Sequence, residues 1–423
     1  MKISVVGGGY VGLVTGTCFA ELGHDVTIIE TESRKVLAIN NGKPPIYENG
    51  LEELLKKNAG KRLRASTRYD SIISAEIVFI SVGTPPKPDG SADLSYIESA
   101  STLIGNMLKN TPFYCVVVVK STVPPGTTEK IVRPAVLRAA GKTEKEIGFA
   151  MNPEFLREGR AVEDFLNPDR IVIGSSDPRA VNPVADVYRN LKAPVIRTGL
   201  TAAEMIKYTS NAFLATKISF SNEIGNICKN LNIDVYDVMK GVGLDPRIGS
   251  LFLNAGAGFG GSCFPKDVSA LVSLAKKAGE KPVLLQSVLE VNEQQPHRMI
   301  ALLEKRIATL TGKRIAVLGL SFKDNTDDIR DSRAIPVIQE LMQKGATVVA
   351  YDPMAGPAMK TVFPSLEYAS SAADALRGAE GCLVMTEWPE FSRLDREFNL
   401  MAHQVIIEGR RILTHDGVEG ICW

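Results

Sequence analysis

Residues 7 to 12 read Gly-Gly-Gly-Tyr-Val-Gly, between the apolar run Ile3–Val6 and a stretch that reads as a helix. A G-x-G-x-x-G pattern is weak alone, because glycine is common. It becomes specific when it follows a strand, opens a helix and is trailed by an acidic residue at the end of the next strand. Here Glu30 ends the run Val26–Glu30. Gly7 permits the tight turn, Gly9 lets backbone N–H groups approach a pyrophosphate, and Gly12 lets helix and strand pack closely. The helix N-terminus that opens with Tyr10 and Val11 stabilises the phosphate charge. A carboxylate at Glu30 accepts both ribose hydroxyls and repels a 2′-phosphate, which favours NAD over NADP. The competing reading is a structural turn in an α/β sheet that binds no dinucleotide.

The 423 residues around this motif suggest two or three domains. Short β-rich runs at Ile3–Val6, Val26–Glu30, Ile77–Ser81 and Tyr114–Lys120 alternate with helical stretches, the pattern of βαβ units in a parallel sheet. Ile171–Ile173 adds a late strand. From Thr201 the pattern changes. Thr201-Ala-Ala-Glu204 is a capping-box signature, and no Gly or Pro follows until Gly225. A helix running to Asn230 is about 45 Å long at ~1.5 Å per residue, enough to join two domains and present a dimerisation face. After about Leu310 the opening theme returns. Lys313–Gly319 echoes Met1–Gly7, Ala346–Asp352 echoes His24–Glu30, and Cys382–Thr386 and Val405–Glu408 supply two more strands. This copy lacks the full glycine fingerprint and is expected to bind something else. The expected architecture is α/β: two Rossmann-like doubly wound domains, 1–198 and 306–423, joined by a helical central domain, 199–305, that contains the long helix.

Composition narrows the partners. Lys and Arg number 49 and Asp and Glu 48, a formal net charge of +1 with both signs mixed along the chain. That lacks the single-sign field of a nucleic-acid or membrane-surface binder. No apolar run reaches the ~18 residues that span a bilayer. Met1–Val6 runs straight into the glycine loop, leaving no room for a signal peptide. The six cysteines contain no C-x-x-C pair and read as reduced thiols of a cytoplasmic protein. The four scattered histidines, without clustered Cys or carboxylates, give no metal site.

Chemistry concentrates at Gly258-Phe259-Gly260-Gly261-Ser262-Cys263-Phe264-Pro265-Lys266-Asp267. The glycines bare the backbone and the cysteine comes just before a helix. Backbone N–H groups and the helix N-terminus then favour the thiolate, with Lys266 adding to the field. The alternative is a small buried apolar side chain, though a flexible, polar glycine loop is a poor place to bury one. On the long helix, Lys207 and Asn211 project from one face, where a lysine and an amide can polarise an oxygen or hold a water. A solvated helix face is the ordinary reading of that spacing. Asn152–Glu158 sets Glu154 and Glu158 one turn apart if helical, or simply opens a charged helix. Val82-Gly83-Thr84-Pro85-Pro86 and Ser121-Thr122-Val123-Pro124-Pro125-Gly126 follow expected strands and either border the cofactor or serve as ordinary connectors.

Together, Gly7–Gly12, Ser121–Thr122, Asn152–Glu158, Glu204–Asn211, Gly258–Asp267 and Phe322–Ser332 resemble the UDP-glucose/GDP-mannose dehydrogenases, from Met1 to about Arg411. Leu244–Gly249 followed by Gly258–Asp267 is most similar to the members that oxidise UDP-glucose. GDP-mannose or a UDP-N-acetylhexosamine is the alternative substrate. The resemblance implies a four-electron oxidation of a sugar alcohol to an acid with two NAD. Cys263 is similar to the nucleophile that captures the C6 aldehyde as a thiohemiacetal and then a thioester. Lys207 matches the lysine that stabilises oxyanion character, with Asn211 and Asp267 organising that lysine and a water. Glu154 matches the carboxylate of proton transfer and thioester hydrolysis, and Thr122 and Glu158 match cofactor-side and water-holding positions. Phe155, Leu156, Phe259 and Gly260 match the substrate cradle, and Lys323 and Arg410 further substrate contacts. Arg330 matches a residue that reaches the cofactor, Lys35 one beside the adenosine ribose, and Arg247 one given to the neighbouring subunit's substrate. A homodimer or larger homo-oligomer is implied. Glu30 stands where many members have Asp, and Ala257 where a larger aliphatic is common; neither removes a chemical group. A one-step hydroxyacid dehydrogenase needs neither the cysteine loop nor the second α/β domain. A non-catalytic nucleotide binder needs none of Cys263, Lys207, Asn211, Asp267 and Glu154.

Overall fold

Runs of valine and isoleucine too apolar to face water on either side form the centre of each sheet. In the computed structural model, which describes all residues Met1–Trp423, two compact units divide at Ser210/Asn211. The first holds β1 (Lys2–Val6), β2 (Asp25–Ile29), β3 (Leu63–Ser66), β4 (Ile77–Ile80), β5 (Cys115–Val119), β6 (Ile147–Met151), β7 (Ile171–Gly174) and β8 (Val195–Thr198). Their order is β3-β2-β1-β4-β5-β6-β7-β8. Every pairing is parallel except β6 with β7, where Met151 faces Gly174. Every residue of β4, β5 and β6 is buried. One face packs on Leu13, Val14 and Phe19 of the helix Tyr10–Glu21, the other on Ile97, Ile104 and Val136. β3, β6 and β8 were not anticipated. β3 and β8 are edges with mixed polar composition, Leu-Arg-Ala-Ser and Val-Ile-Arg-Thr, and β8 is mostly exposed.

The second unit holds β9 (Arg314–Leu318), β10 (Thr347–Tyr351), β11 (Glu367–Tyr368), β12 (Gly381–Val384), β13 (Ile406–Glu408) and β14 (Val418–Gly420). Their order, β11-β10-β9-β12-β13-β14, repeats that of the first six strands of the other sheet, and all pairings are parallel. The echo read in the sequence is a repeated fold. Gly7 N donates to Ile29 O and Gly319 N to Tyr351 O, both at 2.8 Å. The copies diverge at the carboxylate. Asp352, placed after β10 as Glu30 is after β2, accepts from Leu320 N (2.7 Å), Ser321 N (3.1 Å), Trp388 Nε1 (3.0 Å) and the backbone of Met354 and Ala355. Glu30 is held more lightly, by Gly8 N (3.1 Å) and Glu32 N (3.0 Å), and no tryptophan indole donates to it.

The long helix is Leu200–Asn230, 31 residues, and the boundary between units falls within it. The helices Val235–Gly243, Phe264–Lys277 and Val283–Arg306 follow. No helix is long and apolar enough to cross a membrane.

The expected capping box is not formed. The helix already includes Leu200, so Thr201 lies inside it and Glu204 does not reach back. The Glu204 carboxylate is instead fully buried and accepts from Gly126 N (2.5 Å), Thr128 N (2.8 Å) and Thr128 Oγ1 (2.6 Å). Burial raises its pKa and these donors oppose the rise. A buried carboxylate needs donors wherever they lie. Here the turn after Pro125 supplies them, so a local cap became a strut to the Ser121–Gly126 loop.

Candidate active site

The glycine loop lies at the carboxyl end of β1, where doubly wound sheets bind ligands. Gly7 has φ +106°, and a Cβ there would strike the Ser81 carbonyl; one on Gly12 would strike the Gly7 carbonyl. A Cβ on Gly9 would meet nothing within 4 Å, so its backbone is open to a phosphate. The helix that begins at Tyr10 and Val11 has no side-chain cap, which leaves its first N–H groups facing that opening. Glu30 is 8 % exposed, and its carboxylate is held by Gly8 N (3.1 Å) and Glu32 N (3.0 Å) beside the loop. These residues fit a dinucleotide. Lys35, partly exposed, pairs with Glu32 at 2.5 Å.

The two proline loops are joined. Thr84 Oγ1 donates to the Thr122 carbonyl at 2.8 Å and Ser121 Oγ to the Val82 carbonyl at 2.7 Å. Gly83, Thr84, Ser121 and Thr122 thus cluster at the ends of β4 and β5. The Tyr10 hydroxyl bonds to Glu48, a buried carboxylate that also accepts from Gly159 N (2.7 Å) and Ala161 N (2.8 Å). Glu48 therefore ties the glycine loop to the segment after Glu158. Nothing in the sequence marks it, because it sits in an irregular stretch without periodicity.

Residues 152–158 are not helical; they leave β6 as an irregular segment, so Glu154 and Glu158 share no helix face. Lys207, whose spacing with Asn211 reads ordinarily as a solvated helix face, is buried. Its Nζ lies 2.9 Å from Glu154 Oε1, with the two side chains 4 % and 5 % exposed. Leu156 N donates to Glu154 Oε2 at 2.6 Å. The Phe155 ring lies 5.4 Å from the Lys207 ammonium and 4.0 Å from the Arg170 guanidinium. Burial alone would raise the Glu154 pKa, but Lys207, the Leu156 N–H and Lys120 outweigh it and hold the carboxyl below its usual range. The pair is a fixed, buried ammonium–carboxylate.

Cys263 is the N-cap of the helix Phe264–Lys277, with Pro265 in its first turn. It is partly exposed, whereas Cys18, Cys115, Cys228, Cys382 and Cys422 are buried. Burial pushes the thiols of Cys18, Cys115, Cys382 and Cys422 up, away from reactivity. The Cys263 Sγ lies 3.5 Å from Ser262 Oγ. Lys266 pairs with Asp267 at 2.5 Å. The other Asp267 oxygen accepts from Asn211 Nδ2 at 2.6 Å. Asn211 and Asp267 are 6 % and 1 % exposed, which overturns the solvated-face reading of the helix.

The loop before Cys263 is not the flexible, polar segment its glycines suggested. Ala255–Gly261 is buried and tied at almost every residue. Tyr236 Oη donates to Ala255 O (2.8 Å), Gly256 N to Asn222 Oδ1 (2.7 Å) and Ala257 N to Gly409 O (3.0 Å). Arg410 donates to Gly258 O (2.6 Å) and Gly261 N to Arg330 O (2.8 Å). Asn292, wholly buried, offers both ends of its amide to Phe259: Oδ1 accepts from N at 2.7 Å and Nδ2 donates to O at 3.0 Å. A Cβ on Gly260 would strike the Asp331 carbonyl, and one on Gly261 would crowd the Phe322 ring. The glycines serve close approach, and the thiol stands at the end of a fixed rail. Asn292, Asn222 and Tyr236 escaped the sequence reading because their partners lie far along the chain.

Phe259, Gly260, Arg330 and Arg410 thus gather around the cysteine loop. Arg330 also pairs with Asp328 at 2.5 Å and Arg410 with Glu387 at 3.0 Å. Lys323 lies 5.7 Å from the Phe322 ring. Arg247 does not join them: its side chain is 87 % exposed and pairs with Asp245. Lys217 holds the Arg247 loop through the Ile248 (3.2 Å) and Gly249 (3.3 Å) carbonyls.

Comparison with known proteins decides the family. Residues 1–192 match the NAD binding domain of the UDP-glucose/GDP-mannose dehydrogenase family, 201–294 its central domain and 316–415 its UDP binding domain. UDP-glucose 6-dehydrogenase AglM of Haloferax volcanii is 49% identical over 98% of this chain and 97% of its own length. The chain belongs to the UDP-glucose/GDP-mannose dehydrogenase family. Like that family it is an NAD-dependent oxidoreductase, and the glycine loop with Glu30 lies within the matched NAD binding domain. Among solved structures, a UDP-glucose dehydrogenase from Pyrobaculum islandicum superposes with TM-score 0.95 at 43% identity, covering 100% of this chain and 97% of that one. A UDP-D-ManNAc dehydrogenase from Pyrococcus horikoshii gives TM-score 0.88 at 29% identity, covering 100% and 99%. The UDP binding match covers β10 to β13, the sheet whose Asp352 is turned inward.

Proposed function

We propose that this member of the family oxidises UDP-glucose to UDP-glucuronate in two successive oxidations, with the intermediate held on Cys263. The observation that carries the proposal is the thiol itself: one partly exposed cysteine at a helix N-terminus, on a loop fixed residue by residue, among five buried ones. NAD, when bound, supplies the hydride acceptor for both steps. Glu154 takes the proton of the C6 alcohol through water, and Lys207 stabilises the alkoxide. The Cys263 thiolate adds to the aldehyde, so that it never leaves, and the resulting thiohemiacetal becomes a thioester. Asn211 and Asp267 hold a water, and Glu154 assists its attack on the thioester, regenerating the thiol. Thr122 and Glu158 act on the cofactor side with Gly83, Thr84, Ser121, Lys35 and Arg330. Phe155, Leu156, Phe259, Gly260, Lys323 and Arg410 hold the sugar nucleotide. The work divides among residues 1–198 for NAD, 199–305 for the thiol and 306–423 for the nucleotide.

UDP-glucose is preferred over other nucleotide sugars because relatives named for it reach 49% and 43% identity, against 29% for the ManNAc enzyme. A panel of UDP-glucose, GDP-mannose and UDP-N-acetylhexosamines, assayed by NADH absorbance, tests this. UDP-glucose is expected to give the highest kcat/KM, and a higher value for any other sugar overturns the assignment.

The long helix also supports a homodimer. Phe213, Phe220 and Ile227 recur every seven residues and are 63%, 52% and 50% exposed, an apolar stripe too long to leave in water. A second copy covers it, and the exposed Arg247 then serves the neighbour's substrate. Phe220→Glu is expected to sediment as a monomer and lose activity. A monomeric wild type with full activity contradicts this. Six free cysteines suit a reducing, cytoplasmic setting.

A further inference from the structure

Lys120 has no part in the reaction above, yet it is a charged side chain sunk in the first unit. It follows β5 directly, after five buried residues, and is 4 % exposed. Its Nζ donates to Asn152 Oδ1 at 3.0 Å and to the Tyr188 hydroxyl oxygen at 3.2 Å. The Tyr188 hydroxyl donates to the same Asn152 oxygen at 2.6 Å, and Asn152 Nδ2 is anchored on Val172 O at 2.8 Å. Both hydrogen-bond partners of the amine are neutral, so dipoles take the place of water at the nitrogen. Beside it opens a cavity of about 150 Å³ lined by Lys120, Asn152, Glu154 and Tyr188, among others. That is room for several waters at the ~30 Å³ each occupies in the liquid.

We propose that Lys120 is a positioning residue for Glu154, relieving it of the proton taken from the substrate alcohol and passing that proton to water in this cavity. The inference rests on the role given to Glu154 above. As the alcohol is oxidised, its O–H bond breaks and the proton goes to Glu154, while the C–H electron pair leaves as hydride to NAD. Glu154 must shed that proton before it can act again. Lys207, 2.9 Å away, is its salt-bridge partner and holds it in place. Lys120 and Glu154 line the same cavity, so the proton passes from Glu154 through cavity water to the neutral amine, which becomes ammonium and releases it to the outer cavity water.

Burial pulls Lys120 down to about 7; the charge of Glu154 opposes the fall and that of Lys207 adds to it. Amine and ammonium are then both populated at neutral pH. The other charged groups of the cavity are committed elsewhere: Arg157 to Asp164 at 2.6 Å, Glu163 to Arg160 at 3.0 Å, and Arg170 over the Phe155 ring at 4.0 Å. Asp169 lines the cavity on the loop before β7. Because the amine is the accepting form, turnover rises with pH through about 7 and falls below it as Lys120 becomes ammonium.

Lys120→Met keeps the length of the stem and removes the amine. The pH profile of kcat is expected to lose its limb near 7, with the plateau lowered about tenfold, the low end of general acid–base effects. A merely structural role would lower the rate equally at every pH and leave the limb in place; that result overturns the proposal. Lysine ¹³Cε NMR on the wild-type protein gives a reading that does not depend on the variant's folding. The Lys120 signal is expected to titrate near 7, and lower in Glu154→Gln. Titration only above about pH 9, in the ordinary lysine range, overturns the proposal. Full turnover in Glu154→Gln overturns the Glu154 assignment and the relay with it. A dead Glu154→Gln beside an unchanged Lys120→Met profile overturns the relay alone.

Discussion

Replacing Cys263 with serine is expected to cut steady-state turnover of UDP-glucose by roughly 10³-fold or more, the scale on which removal of a catalytic nucleophile acts. The fold should be untouched. The side chain is partly exposed at a helix N-cap, and a serine hydroxyl can keep the contact with Ser262. The loss is chemical: a hydroxyl ionises far less readily than a thiol, so the attacking anion is scarce even at a helix N-terminus. The first oxidation does not need the thiol, so the variant should give at most about one NADH per site in a rapid burst and then stall. Stopped-flow absorbance separates burst from steady state. Full steady-state turnover by the serine variant would remove Cys263 from the mechanism.

Lys207→Met tests the other half of the account, and its stability and activity effects can be pulled apart. The Lys207–Glu154 pair is almost wholly buried. Removing one partner of such a pair costs about 3–5 kcal/mol, because the charge left behind has no counterion. With Lys207 gone, burial governs Glu154, whose pKa rises from its depressed position. The stability that the depressed carboxyl contributes is present above its unfolded pKa and lost as pH falls through the folded one; the variant should lack that acid-side dependence. Lys207→Met/Glu154→Gln removes both charges and should recover most of the stability, since Gln still accepts from Leu156 N. Activity should not recover. Loss of the oxyanion partner costs roughly 10²–10³-fold in kcat, and both variants should show at least that. Denaturant melts and initial rates on the same preparations decide it, and a double variant that regains activity as well as stability would make Lys207 structural only.

What the sequence disclosed followed from how local each signal is. The glycine fingerprint with Glu30 spans one βαβ unit, and its steric reasons are those seen at Gly7 and Gly12. The long helix was legible to within a residue at its start, because absence of Gly and Pro over a long run is itself the signal. Cys263 before a helix was legible because the glycine loop and Pro265 that mark the helix start adjoin it in sequence. Signals that depend on distant partners failed. Glu204 has the spacing of a capping box, but the donors it meets at Gly126 and Thr128 lie 78 and 76 residues away. The burial of Lys207 and the grip of Asn292 on Phe259 are likewise set by tertiary packing. Lys120 did leave a trace: a lysine abutting Cys115–Val119, a strand apolar at every position, has little chance of reaching water.

The central claim is that one site carries out two oxidations without releasing the aldehyde between them. Purified protein incubated with limiting UDP-glucose and excess NAD, with NADH followed by absorbance and the sugar products separated by ion exchange, tests it most directly. Two NADH per UDP-glucose consumed are expected, with UDP-glucuronate as the sugar product and no free aldehyde trapped by hydroxylamine. One NADH per sugar, with the aldehyde recovered as its oxime, would contradict the account.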